Sequence, residues 1–228
     1  MGFEYLTNVP LAQARKEYLE RLVSGGFGSK TETIPVFESC GRVTAKAVYA
    51  HICAPHYAAS AMDGVAVSAK ETFGATETTP VTLKPDQFLV LDTGDPIPED
   101  KDAVIMVEDI VKNGDGSITI HAAAAPWQHI RQIGEDVCAG EMILPSHMTV
   151  SPAAIGAMIA GGVLEIEVIR KPVVGIIPTG DEIIPPCTDP KPGDILEFNG
   201  SIFSAMVRSW GAEAVVYPIV PDKFNQIK

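Results

Sequence analysis

The sequence predicts a mixed α and β, multidomain chain. Three observations carry that expectation. Residues 81–122 hold several short apolar runs of strand character, separated by turn residues. After Lys171-Pro172 the pattern changes to a continuous apolar run, a helical repeat and a second apolar run, which is the order of a parallel α/β unit. The 20 Gly and 18 Pro among 228 residues favour many turns and short strands over a helical bundle.

Taken in order, Leu11, Arg15, Tyr18 and Leu22 recur at helical spacing, with Pro10 suited to a first turn and Gly25-Gly26 to a stop, so residues 7–24 are expected to be an amphipathic helix. GGFGSK (25–30) resembles a phosphate loop only superficially. It lacks the Lys-Ser/Thr ending and a preceding strand, and reads as a helix cap and loop. Residues 33–55 read as mixed extended and short helical structure. VTLK, QFLVL and AVIMVEDIV follow as strands. Asn113-Gly114-Asp115-Gly116 then marks a hairpin into SITIHA. These short strands suggest a small barrel or sandwich. Ser151-Pro152 opens a packed helix that runs to Gly161-Gly162, and a strand is expected at 163–169. VVGII (173–177) reads as a strand covered on both faces. Ile202, Met206 and Trp210 mark a helix ended by Gly211, and AVVYPIV (214–220) is a second strand. Two strands and one helix do not complete a covered parallel sheet, so the chain is expected to be a fragment, incomplete at Lys228.

Composition narrows the function. The net charge of −12 argues against nucleic-acid binding, which needs a basic face. It also means that an anionic ligand would need a metal ion or local donors. No membrane partner is expected, since the longest apolar stretch (153–164) is far short of the roughly 20 residues of a span. Cys40, Cys53, Cys138 and Cys187 form no CxxC pair, as suits free thiols in a reducing cytosol, and MGFEYLTNVP shows no signal peptide; a cytoplasmic location is expected. His51, Cys53 and His56 are residue types that ligate zinc, but Pro55 and the lack of a fourth nearby ligand favour an ordinary loop.

The acids fall beside Gly or Pro. In SAMDGVAV (60–67), Asp63 is either the bonding residue of a tight turn or a carboxylate delivered to a site by a turn whose Gly64 admits a close neighbour; the eight residues alone favour the turn. Further acids lie in LDTGDP (91–96), IGED (133–136), PTGDE (178–182) and GDILEFN (193–199). The cluster at 178–182 sits at the carboxyl end of the first strand of a βαβ unit, where open α/β sheets bind ligands. There Thr179 and Gly180 offer a hydroxyl and an amide, while Asp181 and Glu182 offer ligands to Mg²⁺, which commonly joins carboxylates to phosphates. Arg131 suits an anion or a surface pair with Glu135.

Together these pieces resemble the molybdopterin molybdenumtransferases, the MoeA and gephyrin E-domain family. SAMDGVAV is similar to its Ser-x-Met-Asp-Gly-Tyr-Ala signature. ESCGRVTAKAV, LDTGDPIPEDKDAVIMVED, HIRQIGEDV and IIPTGDEI resemble four further blocks in the family's order. The resemblance implies insertion of molybdenum from molybdate into adenylated molybdopterin with release of AMP, assisted by Mg²⁺. It implies catalytic roles for Asp63, Asp136 and Glu182, and substrate contacts from Ser60, Gly64, Thr93, Arg131, Thr179, Gly180 and Asn199. It implies metal ligation by Asp63, Asp181, Glu182 and Glu197. It also implies a homodimer fed by an upstream molybdopterin-adenylating protein, with the acidic turns meeting across two subunits.

The implied architecture is an elongated α+β domain (1–55 plus 139–171) with an inserted small β-barrel-like domain (56–138), then the start of a molybdopterin-binding parallel α/β domain (172–228). Val65 replaces the signature Tyr, His56-Tyr57-Ala58-Ala59 replaces Phe-Asp or Phe-Asn, His129 replaces Asn, and Asp95-Pro96 stand where relatives often have Ala. APHYAASAMDGVAV resembles a sub-group with an extra C-terminal periplasmic-binding-protein-like domain. For such a paralogue the alternative is a non-catalytic molybdate or pterin sensor or scaffold.

Overall fold

A computed structural model describes residues 8–223 and 225. They divide into two compact units. The first is built from the segment up to Lys46, Ser146–Ser151 and the chain from Glu165 onward; the second comprises Ala47–Pro145 and Pro152–Leu164.

In the first unit the N-terminal helix is Leu11–Ser24. Pro10 is its cap rather than part of its first turn: with ψ 135° it is still extended, and its carbonyl accepts from Ala14 N at 3.0 Å. Residue 7, where the helix was expected to begin, lies outside the described residues. The helix buries none of its side chains, leaving Leu11, Tyr18 and Val23 exposed. Gly25 stops it and Gly26, at φ 79°, turns the chain away, so GGFGSK is a cap and loop. Strand Thr31–Pro35 then pairs antiparallel with Glu165–Ile169, in register from Thr31↔Ile169 to Pro35↔Glu165. Bridges Val43↔Thr149 and Thr44↔Val168 add a third layer of pairing. Val36, Thr44, Val150, Ile166 and Val168 are buried there.

Further along the same unit, Val173–Ile176 pairs in parallel with Glu213–Val216, and helix Asn199–Ser209 lies between them in sequence. A second parallel pair joins Ile183–Ile184 to Ile195–Leu196. This is the expected β-α-β order. The expected burial is not observed: Val173 is 57% exposed and Ile177 58%. The reason is coverage, because one short helix packs on this two-stranded sheet and leaves the rest of its surface open.

The second unit is β-rich. Gly64–Val67 is the central strand of an antiparallel three-stranded sheet, flanked by Phe88–Leu91 and Ala103–Met106. A second sheet places Ile118–Ile120 between Val81–Leu83 and Ile110–Lys112. Val65, Val67, Leu83, Ala103, Ile105, Ile118 and Ile120 of both sheets form one core. All four residues of Gly64–Val67 are buried, which explains why SAMDGVAV fails to alternate: the strand is covered on both faces. The six strands make two separate sheets, so the barrel-like expectation is corrected to a sandwich-like pair. The hairpin expected at Asn113-Gly114 is present, with Lys112 opposite Ile118. Smaller ladders join Val48–Tyr49 to Met142–Leu144 and Ala59–Ser60 to Ile130–Arg131. Helix Pro152–Ala160 inserts Met158 fully, yet leaves Ile159 about half exposed, so it is packed on one side only.

Candidate functional site

In the second unit three of the acidic blocks are brought together by backbone pairing. Ser60 N donates to Asp95 O, Gly94 N donates to Ser60 O, and Ala61 N donates to His129 O, each at 2.9 Å. Ala59 pairs with Arg131 and Ser60 with Ile130. The segments 60–64, 91–96 and 129–136 therefore share one edge of this unit. Ser60 itself is buried and turns its hydroxyl back to Met62 O at 2.6 Å.

Asp63 does not close a turn on its own backbone. Its Oδ1 accepts from both the hydroxyl and the amide of Thr93, each at 2.7 Å. The Thr93 hydroxyl first, and its amide second, hold the Asp63 carboxyl below the ordinary aspartate range. Gly64 is required by a close approach. A Cβ there would lie 2.0 Å from the Ile105 carbonyl oxygen, because the strand Ala103–Met106 runs directly alongside. What the glycine admits is thus the neighbouring strand. Val107 N anchors the Asp63 carbonyl from the same side, at 3.0 Å.

Arg131 is committed to acids. Its Nη2 reaches both oxygens of Asp136, at 2.7 and 2.8 Å, and its Nε donates to Glu135 at 3.2 Å. These bonds, Asp136 foremost, raise the guanidinium further above its ordinary value. The sequence reading offered Glu135 as the partner and missed the stronger one, Asp136. His129 takes a left-handed φ of 54° and sets Nδ1 3.2 Å from Val104 O. Asn, the family's residue there, tolerates that backbone region as well. Val65 is 1% exposed and pairs with Val90 and Ile105, so this departure from the signature falls in the core and away from the acidic edge.

In the first unit, Thr179 bridges Val220 in parallel, and Gly180 N donates to Val220 O at 3.1 Å. Gly180 has φ 148°, with the Glu182 carboxylate 3.0 Å from where a Cβ would sit. Asp181 Oδ1 accepts from Asp222 N at 3.2 Å. Glu197 Oε1 accepts from Gly200 N at 2.6 Å, at the N-terminal turn of helix Asn199–Ser209, where a carboxylate is favoured. Gly180, Asp181, Glu197 and Tyr217 line a cavity of about 580 Å³ with several prolines. Its donors are oxygens, the set suited to a hard divalent cation.

Of the candidate metal ligands, Asp63 belongs to the second unit and Asp181, Glu182 and Glu197 to the first. Among the described residues no three His, Cys, Asp or Glu side chains gather as a ready metal cluster. That covers the HxCxxH stretch, where His51 Nδ1 instead lies 3.2 Å from Gly162 O. No helix of the described residues is long and apolar enough to cross a membrane.

Such a chain, with a paired β frame, a two-sheet β unit bearing acid-rich turns and a parallel α/β element with carboxylates near its strand ends, is a mixed α/β protein of two compact units. The family model for the MoeA N-terminal region (domain I and II) matches residues 9–162, and the chain belongs to that family. A relative from Mycobacterium tuberculosis, named molybdopterin molybdenumtransferase 2, is 35% identical over 85% of this chain and 52% of its own. The molybdopterin molybdenumtransferase of Haemophilus influenzae is 31% identical over 93% of this chain and 54% of its own. The chain thus spans about half the length of these curated relatives. Among solved structures, a molybdopterin biosynthesis MoeA protein from Pyrococcus horikoshii superposes with a TM-score of 0.78 at 29% identity, over 97% of this chain and 59% of that one.

Proposed function

We propose that this chain takes part in molybdenum cofactor biosynthesis as a portion of a molybdopterin molybdenumtransferase. In this reading molybdenum passes from molybdate into the dithiolene of adenylated molybdopterin, with AMP and water released. The observation that carries it is the Asp63–Thr93 pairing, which joins two of the family's blocks and keeps a carboxylate ionised at an exposed turn. An ionised Asp63 can bind a cation or accept a hydrogen bond through Oδ2 while Thr93 fixes its orientation. Arg131 fixes the Asp136 carboxylate in the same way. Thr179, Gly180 and Asn199 are proposed substrate contacts, with the Thr179 hydroxyl and the Asn199 amide side chain as the groups offered, since the Gly180 amide is bonded to Val220 O.

Asp181 and Glu197, which line one cavity, and the neighbouring Glu182 would hold Mg²⁺ together with substrate oxygens, since no three carboxylates of the described residues form a cluster by themselves. The ion would supply the positive charge that a chain of net charge −12 otherwise lacks beside an anion. Asp63 is proposed to ligate the same class of ion. A homodimer, supply by an upstream molybdopterin-adenylating protein and a cytoplasmic location complete the proposal.

The test is AMP release by the full-length protein given molybdate and adenylated molybdopterin. Asp63→Ala is expected to abolish it with the fold intact, and unchanged turnover would remove Asp63 from the mechanism. Molybdate binding without AMP release in the unaltered protein would instead establish the sensor or scaffold alternative. The buried place of Val65 weighs against that alternative, since this departure packs into the core and leaves the acidic side chains untouched.

A further inference from the structure

Cys53 and Cys138 lie 85 residues apart in sequence yet face each other in the second unit. Ala54 and Val137 form an isolated antiparallel bridge and exchange both backbone bonds, Ala54 N to Val137 O at 2.8 Å and Val137 N to Ala54 O at 3.2 Å. The next pair outward, Cys53 opposite Cys138, is therefore a non-hydrogen-bonded pair. At such positions the Cα atoms approach to about 4.5 Å, within the roughly 4.4–6.8 Å that a disulfide spans. The sulfurs converge as well. A Cβ placed on Gly134 would sit 2.8 Å from Cys138 Sγ and 3.6 Å from Cys53 Sγ, so both atoms border one small space that the glycine leaves open. Cys138 Sγ donates to Gly134 O and Ala139 N donates to Cys53 Sγ, each at 3.4 Å. Both thiols are free; Cys138 is exposed and Cys53 half-buried.

We propose that Cys53 and Cys138 are an oxidation site of this protein, a cross-strand dithiol that closes to a disulfide when a small disulfide oxidant of the glutathione type is present. The exposed Cys138 thiolate attacks the oxidant, forming a mixed disulfide and expelling one thiol. Cys53, as thiolate, then attacks the Cys138 sulfur and expels the second. Two protein thiols become one disulfide, the oxidant is reduced to two thiols, and the two protons leave with them. The new bond pins the end of the 131–138 segment that carries Arg131, Glu135 and Asp136.

The full chain, and a Cys40→Ser/Cys187→Ser double variant that removes the other two thiols, are treated with excess oxidised glutathione and read by intact mass and peptide mapping. The expected product is lighter by two hydrogen atoms, resists alkylation at both positions and yields a cross-linked peptide joining Cys53 to Cys138. Adding Cys53→Ser is expected to leave a glutathione adduct on Cys138. Free alkylation of both thiols after treatment would overturn the proposal, as would stable glutathione adducts on the otherwise unaltered pair. Hydrogen exchange adds a readout on the native chain: the amides of 137–139 exchange more slowly once oxidised, and unchanged exchange counts against the pinning.

Discussion

Two atoms decide the acidic edge of the second unit, the Thr93 hydroxyl oxygen and Asp63 Oδ1. The Asp63 carboxyl is held below its ordinary value, so its stabilising effect is present above the unfolded-state pKa and is lost as pH falls through the lower, folded-state value. Thr93→Val removes the hydroxyl bond and spares the amide bond. The Asp63 titration, followed by carboxyl carbon NMR, is expected to move up toward the ordinary aspartate range. An unmoved midpoint would show that the hydroxyl contributes nothing. Gly64 offers a steric counterpart. With the Ile105 oxygen 2.0 Å from a prospective Cβ, Gly64→Ala must push the central strand away from its flanking neighbour Ala103–Met106. Overpacking of this kind costs about 1–3 kcal/mol, to be read as a lower urea midpoint. The sequence made Asp63 and Gly64 conspicuous because an acid and a glycine interrupt an apolar run. It could not supply Thr93 as the partner, which lies 30 residues away and meets Asp63 only through sheet pairing.

Elements with local causes were the legible ones. The hairpin at 110–120 follows from its turn residues, and the structure shows their work. Asn113 Nδ2 donates to Ser117 Oγ at 2.9 Å and to Thr119 Oγ1 at 3.0 Å, while Asp115 Oδ1 accepts from the Ser117 amide and hydroxyl. Asn113→Ala is expected to cost about 1–3 kcal/mol, two side-chain hydrogen bonds at about 0.5–1.5 kcal/mol each, measured by denaturant unfolding, with the strand register kept. A larger loss with altered amide shifts throughout 118–120 would mean that Asn113 sets the register. Helix stops at Gly25-Gly26 and at Gly211 were equally readable, since a glycine just past the last turn takes the left-handed φ that ends a helix, here Gly26 and Gly211. The split of six strands into two sheets was not readable, because sheet order is set by long-range pairing such as Gly64–Val67 with both Phe88–Leu91 and Ala103–Met106. The Cys53–Cys138 pairing escaped for the same reason.

On the scale of the whole molecule, charge and coverage dominate. Burial of Val173–Ile176 was misjudged because an apolar run records what a strand prefers, while exposure records how much of the chain packs on it. Charge leads to the final prediction. A chain of net charge −12 is stabilised weakly by any salt through screening, so a specific cation site must be separated from that background. Asp181, Glu182 and Glu197 are the proposed ligands, and only a bound ion adds stability that saturates with concentration. Millimolar Mg²⁺ is therefore expected to raise the melting temperature beyond NaCl of equal ionic strength. At a concentration about a hundredfold above Kd the gain is about 2.7 kcal/mol. Asp181→Asn/Glu182→Gln is expected to erase the Mg²⁺-specific part and leave the NaCl response, because both carboxylates are replaced by neutral amides of the same shape. An unchanged Mg²⁺ increment in that variant would move the ion away from this strand end, and equal shifts with Mg²⁺ and NaCl in the unaltered chain would reduce the effect to screening.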